Sequence, residues 1–251
     1  MLKQFVVAEP MSRVFALGQR MSGVTAVTPS TATIKTRLLE GLTKVECEEV
    51  IRGASHRWFA ADCVVTNQED PADYLFLLTK GSARHFFMTP EGRKILLLWL
   101  RPGEIFGGIA LSVVPSVYLA GTEVSRGSRV AVWHRSKIRE LANRYPMLLD
   151  NTLAIASDYF RWFIAAHVAL VCEGAQQRLA GVLASLASGI GRNVTGGIKL
   201  ELTNEQLANA ANVSVFTASR FISRWQRDKI LRKTRGTIVL YSPERLRQQC
   251  S

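Results

Sequence analysis

Clustered cysteine is absent from this chain. Its four thiols, Cys47, Cys63, Cys172 and Cys250, stand far apart, with no CxxC pair of the kind that binds zinc or an iron–sulfur centre. Idle or buried thiols in a reducing cytoplasm are the expectation. Histidine is equally sparse: His56, His85, His134 and His167 are the four, and none forms a close pair. Metal chemistry on a barrel scaffold needs two or three histidines together with a carboxylate. No paired-carboxylate or nucleophile motif stands out either, so no metal, no cofactor and no enzymatic activity are expected. A cupin-type barrel enzyme with a basic accessory domain is the alternative, which a zinc or iron signal in the purified protein would favour. Long apolar runs are also missing: the longest, near Trp162 to Val171, contains His167 and falls short of a span, and no signal-type run appears near the N-terminus. A cytoplasmic protein with no membrane partner is expected. Acidic residues are few, 20 Asp and Glu against 32 Lys and Arg, for a net charge of +12. From Cys172 to Ser251 there are 12 basic and 5 acidic residues, so +7 of that charge sits in the last 80 positions. Such an excess points to an anionic partner, nucleic acid first and acidic membrane surface second.

The basic third of the chain holds two short helical patterns broken by a polar turn, Leu202-Thr203-Asn204-Glu205-Gln206-Leu207-Ala208 onward to Ile222. Thr203 can cap the first helix, whose apolar face is Leu207, Ala208 and Ala211. Ser214 can cap the second, with Ala218, Phe221 and Ile222 on its apolar face. This is the pattern of a helix-turn-helix, which presents the N-terminal end of its second helix to the major groove of double-stranded DNA. There stand Ser214, Thr217 and Arg220, donors suited to base edges and phosphates, and Thr203 at the start of the first helix is counted among the expected DNA contacts. After the pair, Ile230 to Leu240 reads as two short strands about Gly236, a wing whose Arg232, Lys233 and Arg235 can lie along phosphates and fix register. A merely solvated charged hairpin is the alternative.

Upstream, Thr36 to about Gly53 predicts short helices, with Leu38, Leu39, Leu42, Val45 and Val50 inward and Glu46, Glu48 and Glu49 outward. From His56 to about Arg135 short apolar runs alternate with turn signals. The runs are 63–65, 74–78, 83–87, 95–100 and 129–133. The signals are Glu69-Asp70-Pro71, Lys80-Gly81, Pro90-Glu91-Gly92, Arg101-Pro102-Gly103 and Arg126-Gly127. Strands of this length and spacing predict an antiparallel barrel or jelly roll. A long helix follows from about Tyr145 to Val171. It carries one apolar row at Leu148, Ile155, Tyr159, Trp162, Ala166 and Ala169 and another at Leu149, Leu153, Ala156, Phe160, Phe163 and Leu170. Two rows make a surface too broad for one seam: one side can pack on the barrel while the other pairs with a twin subunit. The alternative is a helix buried in its own domain, while Asp158 and Arg161 interrupt the row and count against a membrane anchor. A further helix is expected over 177–190, then glycine turns at Gly189, Gly191 and Gly196-Gly197. Residues 1–30 are expected to form a loose arm without assigned function.

This order of parts resembles the CRP/FNR superfamily of bacterial transcription regulators over about Thr36 to Tyr241. The pieces that carry the likeness are Arg101-Pro102-Gly103-Glu104-Ile105-Phe106-Gly107, Leu202-Thr203 with Leu207-Ala208, and Ser214 with Thr217-Ala218-Ser219-Arg220. The resemblance implies an α+β chain: a cyclic-nucleotide-binding-like antiparallel β-barrel (jelly roll) over 31–144, a long dimerisation helix over 145–172, and a C-terminal winged helix-turn-helix over 173–251. It implies a homodimer that binds DNA sequence-specifically and works with RNA polymerase. Family members typically open the second helix Ser-Arg-Glu-Thr-Val-Ser-Arg, and here Val215 and Phe216 replace the early Arg and Glu. Arg220 stands where the later family Arg reads guanine, and is the expected main reader. Val215 and Phe216 either touch a thymine methyl or pack against the protein, and Arg224 is expected at a phosphate or in solvent.

Cyclic-nucleotide binders of the family follow Pro-Gly-Glu-x-x-Gly with a Glu for the ribose and, about ten residues on, Arg-Ser or Arg-Thr for the phosphate. Gly108 and Tyr118-Leu119 occupy those places here. Charge-assisted bonds to both ends of the ligand are thereby lost, and no response to cyclic AMP is expected. Arg126 or Arg129 could substitute only from a turn or a strand start. His85 as a haem ligand is less expected than as an ordinary packed residue. An uncharged or apolar effector, of unknown identity, could still fit a cavity lined by Gly107, Gly108, Ile109, Leu111, Tyr118 and Phe160. A non-specific architectural DNA binder that has lost its sensor is the remaining alternative.

Overall fold

Every turn signal between the expected strands holds a residue with left-handed backbone: Glu69 (φ 68°), Gly81 (φ 91°), Gly92 (φ 78°), Gly103 (φ 95°) and Gly127 (φ 79°). At Gly103 the requirement is double, because a Cβ there would also run into the Lys35 carbonyl. These reversals organise the sheets of the computed structural model, which describes residues 24–26 and 35–248. The chain forms two units: residues up to Ala83 with Pro102–Leu153, and Arg84–Arg101 with the residues from Ala154 on.

In the first unit a five-stranded antiparallel sheet runs β1(Val24–Ala26), β2(Ser55–Phe59), β9(Arg129–His134), β4(Tyr74–Lys80), β7(Ile105–Phe106) in spatial order. β3(Cys63–Thr66) pairs antiparallel with β8(Gly121–Val124). The central strands β4 and β9 are each buried over four consecutive residues, as strands covered on both faces must be. Trp133 is fully buried, and its indole N–H donates to the Val50 carbonyl at 2.8 Å, which holds α1(Lys44–Arg52) on the sheet. Thr43 caps α1 in a capping box with Glu46.

Three expectations need correction here. Val45 is 74% exposed and not inward. Glu49 is not free in solvent: it accepts from Tyr145 Oη at 2.7 Å and from Arg144, which together hold its carboxyl below the usual range. The expected arm over 1–30 lies outside the described residues except for Val24–Ala26, which is not loose but pairs as β1 with Arg57, Trp58 and Phe59.

α2(Arg135–Arg144), capped by His134, leads to α3(Met147–Cys172), 26 residues long. The two apolar rows of α3 differ in exposure. Leu148 and Ile155 are buried and Tyr159, Ala166 and Ala169 half-buried, while Leu149, Leu153, Ala156, Phe160, Phe163 and Leu170 are exposed. Trp162, in the same row as Leu148 and Ile155, is exposed. Among the described residues α3 is also the one helix long and apolar enough to cross a membrane by length and composition, so the expectation that no segment reaches a span does not hold.

In the second unit, which takes β5(Ala83–Met88) from Arg84 on, β5 and β6(Lys94–Leu100) are neighbours in a sheet, joined by a turn in which Gly92 N–H donates to the Thr89 carbonyl. α4(Ala175–Gly189) packs with the C-terminal elements. β10(Arg192–Val194), β11(Gly197–Leu200), β13(Thr237–Leu240) and β12(Leu231–Thr234) form a four-stranded antiparallel sheet in that order. α5(Asn204–Ala210) and α6(Val215–Arg227) lie between β11 and β12 in the chain, and α7(Pro243–Arg247) follows β13. One apolar core joins Leu179 and Leu183 of α4, Leu207 and Ala208 of α5, Ala218, Ile222 and Trp225 of α6, and Ile238 and Leu240 of the sheet.

Candidate nucleic-acid interface

The helix pair is fixed at both of its starts. Thr203 Oγ1 accepts from Gln206 N–H at 3.1 Å, and Gln206 Oε1 accepts from Thr203 N–H at 2.8 Å, so the Thr203 side chain is spent on the cap of α5. Ser214 Oγ accepts from Thr217 N–H at 3.0 Å and shares a 2.9 Å hydrogen bond with Thr217 Oγ1. Between the helices Asn212 takes left-handed backbone (φ 48°), a conformation Asn tolerates, and Val213 N–H closes the turn on the Ala208 carbonyl at 3.0 Å. Arg178 of α4 clamps this turn. Its guanidinium donates to the carbonyls of Ala211 (3.0 Å), Asn212 (3.3 Å) and Glu173 (2.6 Å).

The first turns of α6 face outward. Val215 is 46% and Phe216 78% exposed, so the Phe216 ring stands largely in solvent and Val215 is partly covered. Arg220 and Arg224 are exposed, the Arg220 guanidinium 5.3 Å from the Phe221 ring centroid. That contact steadies the guanidinium without neutralising it. In the wing Arg232 and Arg235 are exposed, Arg235 beside Gly236 at the tip (φ 70°). Lys233 differs: half-buried, it donates to Asn204 Oδ1, and burial pushes its ammonium pKa down. Its backbone N–H donates to Gln226 Oε1 at 3.0 Å. Asn204 in turn donates to Ser219 Oγ at 2.8 Å. Asn204 and Gln226 thus tie the wing to α5 and α6, a role the sequence pattern did not single out because nothing local pairs positions 204, 219 and 233.

The structure brings Gly107, Gly108, Ile109, Leu111 and Tyr118 into the first unit and leaves Phe160 in the second, 66% exposed. Gly107 is left-handed (φ 72°), and a Cβ there would come 2.5 Å from the Tyr74 carbonyl. Gly108 opens a 3-10 turn, Gly108–Leu111, where an added Cβ would stand 3.1 Å from Thr152 Cγ2. Tyr118 is a buried strut: its hydroxyl donates to the Tyr74 carbonyl and accepts from Tyr74 N–H, both at 3.0 Å. Phe76 lies beside it, stacked on Phe106 at 4.6 Å. Burial pushes the Tyr118 phenol well above its usual range. Arg126 and Arg129 are exposed, and His85 makes an edge contact with Tyr159. Among the described residues no group of His, Cys, Asp and Glu is placed to hold a metal.

β-sheet elements, a long helix and a basic winged helix-turn-helix follow one another along the chain, the make-up of a DNA-binding regulator. The comparisons agree at both ends. Residues 56–145 match the cyclic nucleotide-binding domain and residues 177–249 the Crp-like helix-turn-helix domain. The two domains, in this order, are the make-up of a DNA-binding transcription regulator of CRP/FNR type. Among curated relatives it is 23% identical over 208 residues to the transcriptional activatory protein AadR of Rhodopseudomonas palustris, covering 79% of this chain and 82% of that one. Among solved structures it shares the fold of FixK2 from Bradyrhizobium japonicum, with a TM-score of 0.68 and 21% identity over 79% of this chain and 98% of that one. It shares the fold, too, of the c-di-GMP responsive global regulator CLP of Xanthomonas campestris, with a TM-score of 0.70 and 18% identity over 80% of this chain and all of that one.

Proposed function

We propose that this regulator is a cytoplasmic homodimer that reads a pseudo-palindromic operator, acts with RNA polymerase, and does not respond to cyclic AMP. Residues 31–144 serve as the sensor domain, 145–172 as the dimerisation helix and 173–251 as the DNA reader. The observation that carries the reading is the exposed apolar row of α3, in which Leu153 is 69% and Phe160 66% exposed. Large apolar side chains in continuous helical register are what a partner helix covers. A two-fold pair would present two copies of α6 to half-sites about one helical turn apart. Arg220 is the main base reader, Ser214 and Thr217 set the helix start, and Arg224, Arg232 and Arg235 contact phosphates. Lys233 joins them only by releasing Asn204.

Insensitivity to cyclic AMP rests on Tyr118, which fills the place of the phosphate-binding pair with a buried, hydrogen-bonded ring, and on Gly108 in place of the ribose carboxylate. An effector, if one acts, shifts the population of dimer arrangements that match the operator spacing. Sedimentation equilibrium combined with footprinting tests the core of this reading. A dimer protecting two half-sites is expected, and a monomer protecting one would overturn it. Binding that falls with salt equally for every duplex would favour the architectural alternative instead.

A further inference from the structure

Phe216 is an odd residue for a reading helix. It stands in the first turn of α6, 78% exposed, with Val215 beside it 46% exposed. A ring so placed contributes little to the core and leaves apolar surface in water. Polar competitors at this end of α6 are engaged with each other, since the Ser214 and Thr217 hydroxyls lie 2.9 Å apart and Ser214 Oγ also caps the helix. Arg220 lies four residues on, one turn along the same face.

We propose that Phe216, flanked by Val215, reads the 5-methyl group of a thymine in the major groove, within two base pairs of the guanine that Arg220 reads. The proposal rests on the operator-reading role assigned to α6 above. Among the base edges in the major groove, the thymine methyl is the apolar feature, the others being hydrogen-bond donors and acceptors. A phenyl ring that enters the groove with no polar atom of its own gains there and loses over the polar edges, which it would strip of water. Four helical residues advance about 6 Å, and base pairs are stacked about 3.4 Å apart. Side chains at 216 and 220 therefore span about two base steps, which fixes the thymine close to the guanine. Burial of one methyl-sized group corresponds to about a fourfold change in affinity, ~0.8 kcal/mol.

The test uses the full chain to enrich binding sites from a random-sequence duplex library. In the enriched duplex each thymine is then replaced in turn by deoxyuridine, which removes the methyl alone, and Kd is measured for wild type and for Phe216→Ala. One position per half-site, within two base pairs of the guanine whose preference Arg220→Ala relaxes, is expected to weaken wild-type binding about fourfold when it is deoxyuridine. Phe216→Ala is expected to bind the thymine duplex about fourfold more weakly and to be indifferent to that replacement. Phe216→Leu, which keeps an apolar tip, is expected to retain part of the uridine effect. A flat uridine series for wild type, or a uridine effect undiminished in Phe216→Ala, overturns the thymine assignment and leaves operator reading intact. A library in which no sequence is enriched overturns operator reading itself, and this proposal with it.

Discussion

Arg220 and Tyr118 are the residues on which the proposed DNA reading and the proposed insensitivity to cyclic AMP rest. Arg220 is exposed, its guanidinium over the Phe221 ring, so Arg220→Ala should leave the fold unchanged. It is expected to relax preference at one base position by about 1–3 kcal/mol, read by competition binding with duplexes altered at each position. Tyr118→Phe acts on the other unit. It removes the hydroxyl that satisfies both backbone groups of Tyr74, and stability is expected to fall by about 1–3 kcal/mol in urea unfolding. The alkaline limb gives a second readout. Burial raises the folded-state phenol pKa above its unfolded value. The folded protein therefore keeps a proton that the unfolded chain has released, and stability falls as pH rises past the unfolded tyrosine range of about 10. In Tyr118→Phe that part of the alkaline loss should disappear from a series of melting temperatures.

Elements differ sharply in how openly the sequence declared them. β3, β4, β5, β6 and β9 were legible because apolar runs end at turn residues that need left-handed backbone, and those residues are in that conformation. The caps of α5 and α6 were legible because Ser and Thr before an apolar period have one local use. β2, Ser-His-Arg-Trp-Phe, was hidden by polar side chains on a partly covered strand, and β7 is only two residues long. β10 is exposed throughout, so it carries no apolar period at all. α2 buries Ile138, Leu141 and Ala142 at helical spacing, but charged neighbours masked the row. In the site, the outward position of Arg220 followed from spacing, whereas the inward turn of Lys233 onto Asn204 depends on contacts 29 positions apart that no local pattern encodes. Ser214→Ala is the test at this scale: loss of the α6 cap is expected to cost about 1 kcal/mol, visible as a lowered melting temperature of the helix-turn-helix unit.

For the molecule as a whole, association and charge are the quantities to measure. Leu153→Glu with Phe160→Glu places two carboxylates on the exposed row of α3 without touching a buried side chain. Sedimentation should show the proposed dimer weakened by at least tenfold, and operator affinity should fall in parallel as the second half-site is lost. Binding is expected to weaken with salt at a slope of roughly 0.9 per phosphate neutralised. Arg232→Ala and Arg235→Ala should each reduce that slope by about one, alike on all sequences.

The Arg178 clamp bears on how such a salt titration is interpreted. Its guanidinium is held by three backbone carbonyls, of Glu173, Ala211 and Asn212, which carry dipoles but no net charge. Dissolved ions condense on phosphates and screen separated charges, yet they find little to screen in a cation lodged among short-range dipoles. The joint that fastens the end of the long helix to the turn of the reading pair is therefore largely indifferent to ionic strength. What a salt series reports is the ion atmosphere of the DNA, with the scaffold beneath it held constant.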